Sequence, residues 1–256
     1  MSQLPPIQSL WIGRPLSTVE KLCIRSFLAN GHAFHLYVYN EVQGVPSGAT
    51  LMNAEEILPR EAIYQCPDGW GKGSYAPFAD KFRLTLLQKR GGWWVDMDMV
   101  CLRPVTLATP NVVATSLEWK HGVLPNSNVL RFEPGHPFLT TALRIYDELP
   151  VEHIVGVKAV QQSVVIHKEL NLTAPPEAFN PISWRYLKYI TGVEEPVWHP
   201  RRIKRALGMT PPVGRVGPGS WMLHLWNELW TQSGYDREAT YHPDSIFEQL
   251  KRRYLT

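Results

Sequence analysis

Two aspartates one residue apart, Asp96 and Asp98, end the run Gly91-Gly92-Trp93-Trp94-Val95-Asp96-Met97-Asp98. The hydrophobicity of Trp93–Val100 predicts a strand, in which alternate side chains share a face, so the two carboxylates point the same way. Trp93, Val95, Met97 and Met99 then form a wholly apolar opposite face. Two like charges on one face repel unless a cation or a donor lies between them. Hard oxygen ligands of this kind suit Mn2+ or Mg2+, which can bridge to phosphate oxygens. A pair of solvated aspartates on an edge strand is the plainer account, but residues 93–95 are too apolar for an exposed edge.

Other residues could share that chemistry. Asp80 and Arg83 are three apart on a predicted helix and so lie on one face. The carboxylate could hold sugar or ribose hydroxyls, and the guanidinium could reach a phosphate. Near the other end, Trp221-Met222-Leu223-His224-Leu225-Trp226-Asn227-Glu228-Leu229-Trp230 sets an imidazole among indoles. A neutral imidazole is a metal ligand, and an indole N–H can donate to a diphosphate. Trp11 and Tyr37 lie at the ends of the first two strands, where a nucleobase stacks in an α/β sheet. Asn126 and Asn128 could hydrogen-bond a sugar, and Gln161-Gln162 could line an acceptor cleft, although turn chemistry and a helix surface account for them equally well.

The elements that must position these groups are legible in part. Ile7-Gln8-Ser9-Leu10-Trp11-Ile12 reads as a short buried strand, ended by Gly13-Arg14-Pro15. Ser17 caps a helix from Thr18 to Ala29, with Glu20 completing a capping box and Asn30-Gly31 closing it. His35–Tyr39 is a second strand, so the chain opens with a βαβ unit. Gln43–Asp68 reads as loop with a helical turn around Ala54–Leu58. A helix over Pro77–Arg90 has proline in its first turn and Gly91-Gly92 beyond its end. Strands are expected at Asn111–Thr115, Ser127–Phe132 and Met222–Trp226, and a helix at Phe138–Leu149. Pro175–Pro218 is expected to form an irregular lobe.

Composition limits the function classes. The chain has 256 residues, 44% hydrophobic and 19% charged, which suits one folded domain. The nucleotide-binding part is expected over residues 1–135 and the acceptor-binding, closing part over 136–256. A net charge of +3 with no nucleic-acid-binding signature argues against nucleic acid as a partner. Cys23, Cys66 and Cys101 are odd in number and far apart, arguing against a disulfide framework or structural zinc. No signal-like or membrane-spanning run is present, so a cytoplasmic location is expected. Arg201-Arg202-Ile203-Lys204-Arg205 and Lys251-Arg252-Arg253 could touch anionic headgroups, giving peripheral contact with the membrane's inner face.

The run Phe78-Ala79-Asp80-Lys81-Phe82-Arg83-Leu84, followed by Gly91-Gly92-Trp93-Trp94-Val95-Asp96-Met97-Asp98, resembles the Asp-x-Asp region of one glycosyltransferase group. That group includes the yeast initiating α-1,6-mannosyltransferase, α-1,4-galactosyltransferases and bacterial capsule or lipopolysaccharide transferases. The likeness implies a GT-A fold: a Rossmann-like mixed sheet with flanking helices and an irregular C-terminal lobe. It implies that Asp80, Arg83, Asp96 and Asp98 carry catalysis and that Asp96, Asp98 and His224 hold Mn2+ or Mg2+. Donor contacts would come from Trp11, Tyr37, Asp80, Arg83, Trp94, Asp96, Asn128, Trp226 and Trp230. At the place of Trp94 the group usually has tyrosine or another residue, so a tryptophan there changes the nearby wall. The implied reaction is retaining transfer of a hexose from a UDP-sugar to a saccharide or lipid-linked saccharide, in bacterial surface polysaccharide or glycoconjugate synthesis. GDP-mannose-dependent transfer and a non-catalytic sugar-nucleotide-binding module are the alternatives. A sugar nucleotidyltransferase would need a glycine-rich basic loop near the N-terminus, and Gly13-Arg14-Pro15 is a poor version of it.

Overall fold

The computed structural model describes residues 4–118, 121–168, 172–192 and 215–256. The basic run Arg201–Arg205 and much of the expected irregular lobe lie outside them. The chain begins β1 (Ile7–Trp11), α1 (Thr18–Ala29), β2 (Phe34–Val38), β3 (Ala49–Asn53) and α2 (Ala76–Arg90). Next come β4 (Gly92–Val95), β5 (Met99–Cys101), β6 (Val112–Glu118), β7 (Gly122–Phe132), α3 (Pro137–Glu148) and α4 (Val155–His167). The short helices α5 (Pro176–Phe179) and α6 (Lys188–Thr191) precede β8 (Met222–His224), α7 (Asn227–Gln232) and α8 (Ile246–Tyr254).

Six strands form a mixed sheet in the order β3-β2-β1-β4-β7-β6. β3, β2, β1 and β4 run parallel, while β7 is antiparallel to β4 and β6 antiparallel to β7. The expected βαβ opening is present, as is the capping box: Glu20 Oε2 accepts from Ser17 N–H at 2.6 Å, and Val19 N–H reaches Ser17 Oγ at 3.3 Å. The chain order reverses between β1 and β4. In an open α/β sheet, the crevice at such a switch lies beyond the strands' carboxyl ends. β4 ends at Val95, so Asp96 emerges there.

The entry to β4 is sterically determined. Gly91, at the C-terminus of α2, has φ +63°, and a Cβ on it would come within 2.8 Å of Phe132 O and 2.6 Å of Pro134 Cδ. Only glycine lets α2 turn this tightly against the end of β7.

Two sequence expectations need correcting. The single strand over Trp93–Val100 is two strands with a turn at Asp96-Met97-Asp98, closed by Met99 N–H to Asp96 O at 3.1 Å. After Val95 the chain leaves the main sheet and pairs with Met222–His224 in a separate antiparallel ribbon. That partner is more than 120 residues away, so nothing local marks the break. The apolar alternation survives it: Trp93, Val95, Met97 and Met99 share one buried cluster. The second correction is β3, an edge strand inside the expected loop, whose mixed Ala49-Thr50-Leu51-Met52-Asn53 has exposed faces and no alternation.

Candidate active site

A cleft of about 1200 Å³ opens where the sheet switches direction. Its wall includes Trp11, Asp80, Arg83, Trp94, Asp96, Asp98, His224 and Trp226, so the structure brings together residues that the sequence spreads over more than 200 positions.

Arg83 is the hub of one half. Its side chain is buried, with Nη2 3.0 Å from Asp80 Oδ1 and Nη1 3.0 Å from Asp96 Oδ1. Nη1 also donates to Ser127 O at 2.8 Å and to Ser127 Oγ at 3.1 Å. Trp94 lies under the guanidinium, 5.1 Å from ring centre to Cζ, and its Nε1–H donates to Asp96 Oδ1 at 2.8 Å. The tryptophan thus supplies Asp96 with a second donor from within the motif. Asp80 accepts from Gly156 N–H at 3.0 Å, and a Cβ on Gly156 would lie 2.2 Å from Asp80 Cγ, so α4 can pack here only through glycine.

Burial pushes Asp80 up to about 6, with Arg83 opposing the rise, and burial likewise raises Asp96 against the pull of Arg83. The sign for stability follows. A carboxyl with a raised native pKa binds its proton more tightly folded than unfolded, so its contribution falls as pH rises from 3.8 to about 6. The expected loss across that window is roughly 2–3 kcal/mol. Asp80→Asn should therefore flatten the pH dependence of thermal unfolding between pH 4 and 6; a slope equal to wild type would show that Asp80 titrates as an ordinary carboxylate.

The other half encloses Asp98. Its Oδ2 lies 3.1 Å from His224 Nε2 and accepts from Asn227 N–H at 2.9 Å, while its backbone O accepts from Leu225 N–H at 3.0 Å. Burial would raise the Asp98 carboxyl, but the facing His224 imidazole and the Asn227 N–H outweigh it and hold the pKa below the ordinary value. Trp226 makes the wrap possible by adopting φ +58°, a left-handed conformation rare outside glycine. Behind His224, Asn128 Nδ2 lies 3.1 Å from Nδ1 and donates to Asn180 Oδ1 at 2.7 Å. The Asn128 side chain at Nδ1 fixes the ring so that Nε2, the nitrogen available to a metal, faces Asp98.

The expected metal set is therefore only partly assembled. Among the described residues, no three His, Cys, Asp or Glu side chains gather closely enough to hold an ion. Asp98 and His224 meet, while Asp96 turns to Arg83 and Trp94. A divalent ion that keeps waters and takes substrate phosphate oxygens needs only one or two protein carboxylates, and the oxygen and imidazole donors at Asp98 and His224 fit such an ion.

Several expected donor contacts stand elsewhere. Tyr37 is buried in the core against Phe82 at 5.6 Å, because its position on β2 faces α2. Trp230 is fully buried against Phe247 at 4.7 Å, its Nε1–H held by Leu225 O at 2.6 Å. Asn128 lies behind His224 and not on the cleft wall. Trp226 lines the cleft with its ring 3.9 Å from that of His224, but its N–H is engaged by Ile182 O at 2.7 Å. Trp11 does line the cleft, with its N–H on Arg14 O. Asn126 and Gln161 line it too, and Gln162 is exposed. Sequence reasoning missed Asn180 and Gly156, which carry no local signal, and Asn227, which directly follows Trp226. Lys251 pairs with Glu248 at 2.7 Å and Arg253 reaches Leu102 O at 3.4 Å, so this basic run contacts its own fold. All three cysteines are buried and free, and no described helix is long and apolar enough to cross a membrane.

The chain matches no protein-family model. It is 26% identical over 203 residues to the lactosylceramide 4-alpha-galactosyltransferases of Homo sapiens and Pan troglodytes, covering 72% of this chain and 51% of theirs. The Pongo pygmaeus protein of the same name is 25% identical over 72% of this chain and 82% of its own sequence. The chain thus spans about half the length of the first two relatives. A solved structure of PaToxG glycosyltransferase aligns with 98% of this chain and 85% of its own at 13% identity and TM-score 0.48, a likeness too distant to bear on function. In sequence the chain is thus similar to these galactosyltransferases, and its six-stranded mixed sheet with flanking helices is the expected α/β fold class.

Proposed function

We propose that the chain is a metal-dependent, retaining glycosyltransferase that moves a hexose from a UDP-sugar to a hydroxyl of a saccharide, free or lipid-linked, in glycoconjugate or polysaccharide synthesis on the cytoplasmic side of a membrane. The observation that carries this reading is the cleft at the sheet's switch point, walled by Asp98 and His224 on one side and by Asp80, Arg83 and Asp96 on the other. Asp98, with His224, would hold Mn2+ or Mg2+, and the ion would offset charge on the departing diphosphate.

The protein's own groups do the rest. Arg83 holds Asp96 at the carboxyl end of β4, so that a ribose or sugar hydroxyl meets a carboxylate of fixed direction. Asp80, pinned by Gly156 N–H, keeps Arg83 from swinging into the cleft. Asn227 N–H holds Asp98 Oδ2, and Asn128 turns His224 toward it. Because the sugar passes through an oxocarbenium-like state, the departing phosphate is the main charge to be stabilised, and retention requires no dedicated general base.

A melting-temperature screen of UDP, UDP-sugars and GDP-sugars, each with and without Mn2+, tests the reading. A ligand bound only by the native state raises the midpoint by mass action, by about 2.7 kcal/mol of stabilisation at a hundredfold excess over Kd. The expected result is a Mn2+-dependent shift with uridine nucleotides. A shift with GDP-sugars alone would assign the donor to guanosine, and no shift with any nucleotide would remove the reading.

A further inference from the structure

The loop before α2 presents a tryptophan that the fold leaves uncovered. Trp70 is 48% exposed and lines the cleft. A single exposed aromatic needs no explanation by itself. This one, however, is held in place from both sides. The loop is closed by Cys66 N–H to Ser74 O at 2.8 Å and Gly73 N–H to Cys66 O at 2.9 Å. Gly69, Gly71 and Gly73 all take left-handed backbone, with φ of 65°, 82° and 82°. A Cβ on Gly71 would lie 2.2 Å from His153 Nδ1, so the loop rests directly on that ring.

His153, just before α4, meets the indole edge-on with ring centres 4.1 Å apart, and its Nδ1 is 3.1 Å from Ser74 Oγ. Glu228, at the start of α7, lines the same cleft as Trp70 and His153. The arrangement is thus a flat apolar surface with an imidazole against its edge and a carboxylate on the wall of the same cleft. A pyranose has the matching form: one C–H face that packs on an aromatic ring, and a rim of hydroxyls that need polar partners. A nucleobase has a different place in such a fold, at the carboxyl ends of β1 and β4, where Trp11 stands.

We propose that Trp70 is the stacking platform of an acceptor subsite, taking the apolar face of a saccharide ring, with Glu228 and His153 meeting its hydroxyls. This rests on the glycosyltransferase reading above, since it assigns the second substrate of that same cleft.

The test uses the full chain with UDP and Mn2+ present. Binding of lactose, maltose, methyl α-mannoside and N-acetylglucosamine would be titrated by saturation-transfer NMR, and UDP affinity measured by calorimetry. At least one of these sugars should bind wild type. Trp70→Ala should weaken that sugar about tenfold or more, the scale of losing one covered aromatic ring, and leave UDP affinity unchanged. Trp70→Phe, which keeps a flat ring and secures the result against misfolding of the alanine variant, should retain most of the sugar affinity. Equal sugar binding by wild type and Trp70→Ala would overturn the subsite, as would UDP binding by wild type with no binding of any of the four sugars. Loss of UDP affinity in Trp70→Ala would assign the ring to the nucleotide instead. Absence of UDP binding in wild type would overturn the glycosyltransferase reading itself, a result distinct from the others.

Discussion

Asp98→Ala should lower Mn2+-dependent hydrolysis of UDP-sugar and transfer to acceptor by about a thousandfold or more, the scale of removing a principal electrostatic contact to the transition state. Two consequences of the same substitution separate chemistry from folding. Asn227 N–H loses its acceptor, which costs about 1–3 kcal/mol for a donor left buried without a partner, and His224 Nε2 loses the carboxylate it faces. Asp98→Asn keeps an oxygen for Asn227 N–H at nearly the same place and so should hold the melting temperature closer to wild type. It removes the charge, however, and with it the ability to hold a divalent ion. The expected pattern is therefore two inactive variants of unequal stability. Wild-type rates in either variant, measured as UDP release with and without Mn2+, would sink the role given to Asp98.

Arg83→Met should have the largest effect on stability. The guanidinium links Asp80 and Asp96, both at 3.0 Å, and is itself buried. Removing one partner of a buried ionic network leaves charge without compensation, a cost of about 3–5 kcal/mol. Here two carboxylates are left facing each other. The penalty should depend on pH in a defined direction. Asp80 already titrates near 6 with the arginine present, because burial outweighs the attraction. Without Arg83 it rises further, so at pH 5 it is neutral and the variant is penalised less than at pH 7.5. Urea unfolding at the two pH values reads this difference. Arg83→Lys keeps the charge but lacks the planar fork that reaches Asp80, Asp96 and Ser127 at once, so it should fall between wild type and methionine. A methionine variant as stable as wild type at pH 7.5 would show that the network contributes nothing.

How far the sequence led can be judged on particular elements. α1 was readable to its ends because its cap is local: Ser17 and Glu20 are three residues apart and satisfy each other whatever the rest of the chain does. α2 was readable for the same reason, with Pro77 at its start and Gly91 after its end. The segregation of Trp93, Val95, Met97 and Met99 to one side was also written locally, as a period of two, and it persists through the turn that interrupts the strand. Reading β3 failed because an edge strand with exposed faces needs no hydrophobic alternation. Its identity comes from the free edge of β2 beside it.

The candidate site divides in the same way. Residue types and spacing marked Asp96 and Asp98 as a pair of carboxylates at one strand end, put Asp80 and Arg83 on one helix face, and set His224 in an unusual aromatic segment. These are statements about neighbours within a few positions, where backbone geometry alone sets direction. Only the tertiary structure decided how the groups divide. Arg83 and Trp94 take Asp96, whereas His224 and Asn227 take Asp98, because the chain turns between the two aspartates and pairs β5 with β8. It also decided that Tyr37 and Trp230 belong to the core, which an aromatic residue's type cannot reveal, since a buried ring and a ligand-facing ring have the same composition. The physical reason is range: caps and periodicity act over one or two turns of chain, whereas the contacts that give each carboxylate its partners join residues up to 129 positions apart.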